Sequence, residues 1–266
     1  MKNTNIQIDG LKTAVVTGAT GGIGYYICLY LLKNGYNILA PCRNMQKGEK
    51  IKEKMSKEDG VSDCILGNFM LIEADLESFT SIKKFCEIVI SKCKTIDLLI
   101  NNAGIIAPEF ALTEDGFERS LQVNYLAPKY ITEKLLPLIK TQIINTVSCT
   151  IKFGRKDDFA KKIALLPISR YSDFKMSKEE IKEQKQRYGH LKNYSMSKLL
   201  LWEYSQELSK RFEGTLLISE ADPGIVNTGI IKMYRWYDSI ADILFRPLIK
   251  SPQKGANAII NKLVIQ

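Results

Sequence analysis

The sequence predicts a doubly wound α/β fold, a parallel sheet flanked by helices on both faces. Three observations carry the prediction. Short apolar runs alternate with helix-length amphipathic stretches along the chain, the pattern of successive strand–helix–strand units. A glycine-rich run, TGATGGIG at Thr17–Gly24, joins the first apolar run to the first amphipathic stretch. Gly18, Asp75, Asn101, Ser148 and Pro223 each fall just after an apolar run. Right-handed crossovers therefore gather them along one sheet edge, where such folds bind ligands.

The elements follow in order. Thr13–Thr17 reads as a strand, Ile23–Lys33 as a helix ended by Gly35, and Asn37–Cys42 as a second strand. Asn44–Lys57 is a charged helix and Phe69–Ala74 a third strand. Ser78–Lys92 is a helix with Ser78 as its cap, and Ile96–Ile100 a fourth strand. Asp115–Ile139 reads as one long helix holding Asn124, with a local bend at Pro128. Gln142–Val147 is a fifth strand, Tyr194–Arg211 a helix and Thr215–Glu220 a sixth strand. The interval between Ser148 and Tyr194 is less regular and reads as a local insertion at about 155–193. Within it Ser177 and Glu180 have capping-box spacing, and Gly189 suits a helix C-terminus.

Composition excludes several functions. The net charge is +9, but lysines are scattered and paired with glutamates, and no zinc-finger spacing occurs. No nucleic-acid partner is expected, although a basic surface helps attract a phosphate-rich cofactor. The six cysteines form no CxxC pair and suit reduced thiols in a cytoplasmic protein. His190 is the only histidine, so a His-rich metal site is excluded and no metal is expected. No apolar stretch approaches the roughly 18 residues of a membrane span, and the first ten residues lack a signal-peptide core.

The glycines at 18, 22 and 24 permit a tight turn and close backbone approach to a pyrophosphate, which the helix N-terminus attracts. The second strand should end beside the adenosine ribose. Binders of NAD usually carry an acid there; here Cys42 is followed by Arg43 and Asn44. A guanidinium can pair with a 2′-phosphate, so NADP(H) is expected in preference to NAD(H). The alternative is an ordinary surface arginine. Asp75 and Leu76 follow the third strand, where adenine would lie, and Asp75 can equally cap the next helix. Asn102, Ala103 and Gly104 of the NNAG run supply small residues beside the cofactor.

Tyr194 and Lys198 share one helix face at i and i+4. A nearby ammonium stabilises a phenolate and lowers a pKa that is otherwise near 10. The phenol could then exchange a proton near neutral pH. Ser148, at a strand end, can bond a substrate oxygen or cap a helix. Asn124 can support a proton path to Lys198 or bond backbone. Together these residues predict hydride transfer between a nicotinamide and a carbonyl or alcohol. The alternative is a binding protein that senses NADP(H) without turnover.

These motifs resemble the short-chain dehydrogenase/reductase family over essentially the whole chain. The resemblance implies a Rossmann-type fold and a single dinucleotide-binding and catalytic domain over residues 1–266. It implies catalytic roles for Asn124, Ser148, Tyr194 and Lys198. It also implies cofactor contacts from Gly18, Thr20, Gly22, Ile23, Gly24, Tyr194, Lys198, the Pro223–Gly224 turn and Thr228. CRN at Cys42–Asn44 and FRPLIKSPQKGAN at Phe245–Asn257 are similar to retinol dehydrogenase-like members, and the long Ser148–Tyr194 interval to WW-domain oxidoreductases. That branch implies a bulky apolar aldehyde, ketone or alcohol, such as a retinoid-, steroid- or lipid-like compound. The family's seventh strand is expected to be missing after the last helix, read at Ala256–Val264. Homo-oligomers are expected through the helices that carry Asn124 and Tyr194. Residues at about 225–248, rich in aromatics and aliphatics, suit a lid over an apolar substrate, a peripheral membrane contact through Lys232, Arg235 and Arg246, or a packed surface helix.

Overall fold

The computed structural model describes residues 11–226 and 250–264. The first ten residues, Thr228 and nearly all of the expected lid lie outside the described residues. Six parallel strands form one sheet in the order β3-β2-β1-β4-β5-β6. They are β1 (Lys12–Val16), β2 (Tyr36–Cys42), β3 (Phe69–Glu73), β4 (Ile96–Asn101), β5 (Ile139–Thr146) and β6 (Leu217–Ala221). The fold is the predicted Rossmann-like one. Every residue of β2 is buried, as expected of a strand covered on both faces. The strand order reverses between β1 and β4, which opens a crevice at their C-terminal ends.

Each face of the sheet has its own core. On one face lie α1 (Gly22–Lys33) and α10 (Pro252–Ile260), with Ile27, Leu31, Ala256 and Ile259 fully buried. On the other lie α4 (Phe79–Lys92), α6 (Ala127–Leu135) and α9 (His190–Arg211), which bury Phe85, Ile131, Leu200 and Leu208. Caps fix the helix starts. Asn44 accepts from Lys47 N at 2.9 Å and opens α2 (Met45–Ser56). Ser78 accepts from Ser81 N and opens α4. Gly35, at φ 75°, closes α1. A five-residue helix, α3 (Asp63–Gly67), was not foreseen; Ser62 caps it.

The long helix read at 115–139 is broken. A short turn, α5 (Arg119–Leu121), leads into a π turn at Gln122–Leu126 and then α6. Pro128 has no N–H to give the Asn124 carbonyl, its ordinary i−4 acceptor. The helix widens instead, and Ala127 N bonds the Gln122 carbonyl. The expected bend is this π turn, and Asn124 sits within it.

The insertion holds α7 (Asp158–Ala164) and α8 (Lys178–Gln186). Both bonds of the predicted capping box are present, Ser177 N to Glu180 Oε2 at 2.8 Å and Glu180 N to Ser177 Oγ at 3.1 Å. The segment packs on the helices expected to form the oligomer contact. Lys129 Nζ reaches the Ala164 carbonyl at 3.0 Å, and Lys156 pairs with Glu203 at 2.7 Å. Tyr171 is wholly buried with its ring 5.0 Å from Phe79 and 6.1 Å from Phe117. Six strands are the full set among the described residues.

Candidate active site

The glycine-rich turn is a close-approach device. Gly18 has φ 69°, and a β-carbon there would lie 2.9 Å from Ala103 Cα. A β-carbon on Gly24 would lie 2.1 Å from the Gly18 carbonyl oxygen. The turn thus closes against both α1 and the NNAG run. Gly21 precedes α1 and offers no side-chain cap. The first N–H groups of α1, beginning at the exposed Gly22, are left to an anion. Thr17 locks the two motifs together: its hydroxyl accepts from Asn102 N and Ala103 N, each at 3.0 Å. Asn102 Nδ2 donates back to the Thr17 carbonyl at 3.0 Å. Asn101 points the other way and donates to Asn145 Oδ1 at 2.8 Å, joining β4 to β5. This cradle fits a dinucleotide pyrophosphate.

At the adenosine end, Arg43 is exposed and its Nη1 lies 3.2 Å from Glu77 Oε1 and 4.0 Å from Asp75 Oδ2. Asp75 does not cap α4. Its Oδ1 accepts from Glu77 N at 2.9 Å and shapes the loop after β3. Asn44 is committed to capping α2. Glu77 also receives two bonds from Arg119, each 2.7 Å. Those bonds, against some burial, hold its carboxyl below the ordinary value, so it stays ionised through neutral pH.

The NNAG run, Asn124 and Lys198 meet at Gly104. A β-carbon there would lie 3.3 Å from Lys198 Nζ and 3.4 Å from Asn124 Oδ1. Asn124 is locked in place. It accepts from Ile105 N at 2.8 Å and donates to the Ile105 carbonyl at 2.9 Å and to Ser197 Oγ at 3.0 Å. Lys198 is buried and donates to the Thr146 carbonyl at 2.7 Å. Ser148 opens a short helical turn at Cys149–Phe153, accepting from Thr150 N at 3.3 Å. Gly154 closes that turn onto α9, where a β-carbon would lie 2.7 Å from the Ser195 carbonyl. Ser148 lies near enough to the Tyr194 phenol to draw its pKa down. His190 is the first residue of α9.

The electrostatics differ from the sequence expectation. Burial raises the Tyr194 pKa, with smaller upward contributions from Asp222 and Cys149, while the Ser148 bond opposes them. The predicted lowering by Lys198 is absent. Burial pushes Lys198 itself down to about 8, against the pull of Asp222. The amine is committed to the Thr146 carbonyl and is not among the groups that shift the phenol. Asp222 escaped the sequence reading, although it directly follows β6, the placement shared by the other motif residues. Lys250 also escaped it. Its Nζ would lie 3.0 Å from a β-carbon on Gly224, in the turn after β6.

The profile of the family described as short chain dehydrogenase matches residues 12–157, more than half of the chain. The chain belongs to this family. Within it the resemblance is to the retinol dehydrogenase type. Retinol dehydrogenase 13 of Mus musculus is 30% identical over 255 residues, covering 92% of this chain and 69% of the relative. Among solved structures, salutaridine reductase from Papaver somniferum superposes with a TM-score of 0.66 at 22% identity, covering 96% of each chain. An alcohol dehydrogenase from Thermococcus sibiricus, complexed with 5-hydroxy-NADP, gives 0.63 at 21% identity over 95% of this chain and 91% of that one. These two likenesses establish the fold. As a short-chain dehydrogenase the chain is an oxidoreductase of alcohol and carbonyl groups using a nicotinamide cofactor. Among the described residues no helix is long and apolar enough to cross a membrane, and no cluster of ligating side chains suits a metal.

Proposed function

We propose that this chain is a single-domain NADP(H)-dependent carbonyl reductase or alcohol dehydrogenase acting on an apolar aldehyde, ketone or alcohol of retinoid-, steroid- or lipid-like character. One observation carries the reading. Lys198 and Asn124 converge on Gly104, Ser148 reaches Tyr194, and the glycine cradle opens beside the same strand ends. The cofactor supplies or accepts the hydride when bound. Gly18, Thr20, Gly22, Ile23 and Gly24 would hold its pyrophosphate end. Asp75, Leu76, Arg43 and Asn44 would flank its adenosine, the last through backbone or placement because its side chain caps α2. Asn102, Ala103, Gly104, Pro223, Gly224 and Thr228 would line the nicotinamide half.

Tyr194 gives a proton to the carbonyl oxygen in reduction, and Ser148 orients that oxygen. Lys198 holds the ribose side of the site and passes protons onward, with Asn124 fixing the turn beside it. The burial that raises the Tyr194 pKa keeps the phenol protonated at neutral pH, which favours its work as an acid. The chain is proposed to work in the cytoplasm, with any peripheral membrane contact made by the 225–248 segment. Homo-oligomers would use surface that the 155–193 insertion leaves open.

The test is an NADPH-oxidation screen over apolar aldehydes, ketones and quinones, with Tyr194→Phe as control. Oxidation that needs Tyr194 is the expected result. Tight NADPH binding with no oxidation on any carbonyl would favour a sensor instead. Cofactor choice is checked separately. Arg43→Leu should raise the NADPH Michaelis constant about tenfold and hardly alter that for NADH, since only one of them carries the 2′-phosphate. Equal effects would defeat the assignment.

A further inference from the structure

Four charges meet at the ends of β2 and β3. Arg43 and Arg119 supply the positive pair, Asp75 and Glu77 the negative one. Glu77 lies at the centre. Arg119 grips it with two prongs, Nε to Oε2 and Nη2 to Oε1, both at 2.7 Å. Arg43 reaches the same Oε1 through one longer contact of 3.2 Å. Exposure follows the same gradient: the side chains of Glu77, Arg119 and Arg43 are 19%, 34% and 65% exposed. The paired, half-covered arginine thus neutralises the acid, and the open arginine keeps most of its five donors for something else.

A carboxylate beside a 2′-phosphate competes with it for the same guanidinium and repels it. With Arg119 in place the cluster sums to zero and Glu77 holds Arg43 only through the one longer contact. Without Arg119 the sum is −1, and Arg43 becomes the nearest counter-ion to a largely covered carboxylate. Its present single contact with Glu77 would then tighten into the pairing that Arg119 gave up. A cofactor with a free 2′-hydroxyl suffers no such loss, because a hydroxyl can donate to the freed carboxylate. Arg119 stands 76 positions from Arg43 in the sequence and belongs to α5, outside the glycine turn and the strand ends it would influence.

We propose that Arg119 sets cofactor choice by acting through Glu77, its two-pronged grip keeping Arg43 available to a 2′-phosphate. Arg119 is in this sense a positioning residue. The inference rests on the reading of Arg43 as the 2′-phosphate partner.

The experiment measures dissociation constants for NADP⁺ and NAD⁺ by calorimetry on wild type, Arg119→Met, Glu77→Gln, the double variant and Arg43→Leu. Arg119→Met should weaken NADP⁺ about tenfold and leave NAD⁺ within about twofold. Glu77→Gln should move the ratio the other way. The double variant should recover NADP⁺ binding, because Arg119 has no work to do once Glu77 is neutral. A purely structural role for Arg119 would weaken both cofactors alike and would not be rescued; either result overturns the inference. If Arg43→Leu abolishes discrimination while Arg119→Met leaves it intact, the inference fails and the reading of Arg43 stands. If Arg43→Leu leaves discrimination intact as well, the reading of Arg43 falls and takes the inference with it.

Discussion

Replacing Tyr194 with phenylalanine is expected to cut turnover about 10²- to 10⁴-fold, the usual weight of a positioned acid. NADPH affinity should stay within about twofold. The change deletes one hydroxyl whose hydrogen-bonding neighbour is Ser148, and leaves the ring in place. The pH profile adds a second check. Burial, Asp222 and Cys149 raise the phenol above its ordinary value, so it is fully protonated at pH 7. Carbonyl reduction should therefore keep its acid through the ordinary phenol range, whereas alcohol oxidation, which needs the phenolate, should accelerate as the pH rises. Stopped-flow measurement of both directions reads this. Turnover that survives Tyr194→Phe would remove the proposed acid.

Lys198→Met should abolish most activity, by at least about a hundredfold, and yet relieve the fold at neutral pH. Burial lowers the Lys198 amine from 10.5 to about 8, a shift of about 2.5. Between those values the unfolded chain holds a proton that the folded chain lacks. The contribution of Lys198 to stability then rises with pH across about 8 to 10.5 and is lowest below that window. The penalty below pH 8 corresponds to roughly 3 kcal/mol. Methionine removes that penalty but leaves the Thr146 carbonyl without its 2.7 Å donor, a loss of about 1–3 kcal/mol at every pH. The stability of the variant relative to wild type should therefore decline as the pH is raised from 7 to 10. Thermal melts at the two values decide the matter, and a difference independent of pH would refute the account. A residue that weakens the fold where it works is the expected signature of a functional position.

What was legible in the sequence was local. Strands covered on both faces are short apolar runs, so β1 to β6 were placed within a few residues. Caps depend on neighbours three residues apart, so Ser78 and the Ser177–Glu180 box were readable. The family match and the fold followed from the same motifs. Arrangements that join distant stretches were not readable. The Thr17 clamp spans 85 positions, and the grip of Arg119 on Glu77 spans 42. The π turn was half-visible, since Pro128 announced a disturbance and not its form. The direction of the Tyr194 shift was missed because i,i+4 spacing tells nothing of depth, and here burial sets the direction.

Tyr171 bears on how the molecule is made. Its ring meets Phe79, Phe117 and Tyr130, and its hydroxyl is buried with no partner. These rings come from four separate stretches of chain, so that part of the interior closes only after residue 171 has left the ribosome. A nascent chain stalled between 130 and 171 would carry three aromatic rings with no lid over them, the sticky intermediate on which holding chaperones act.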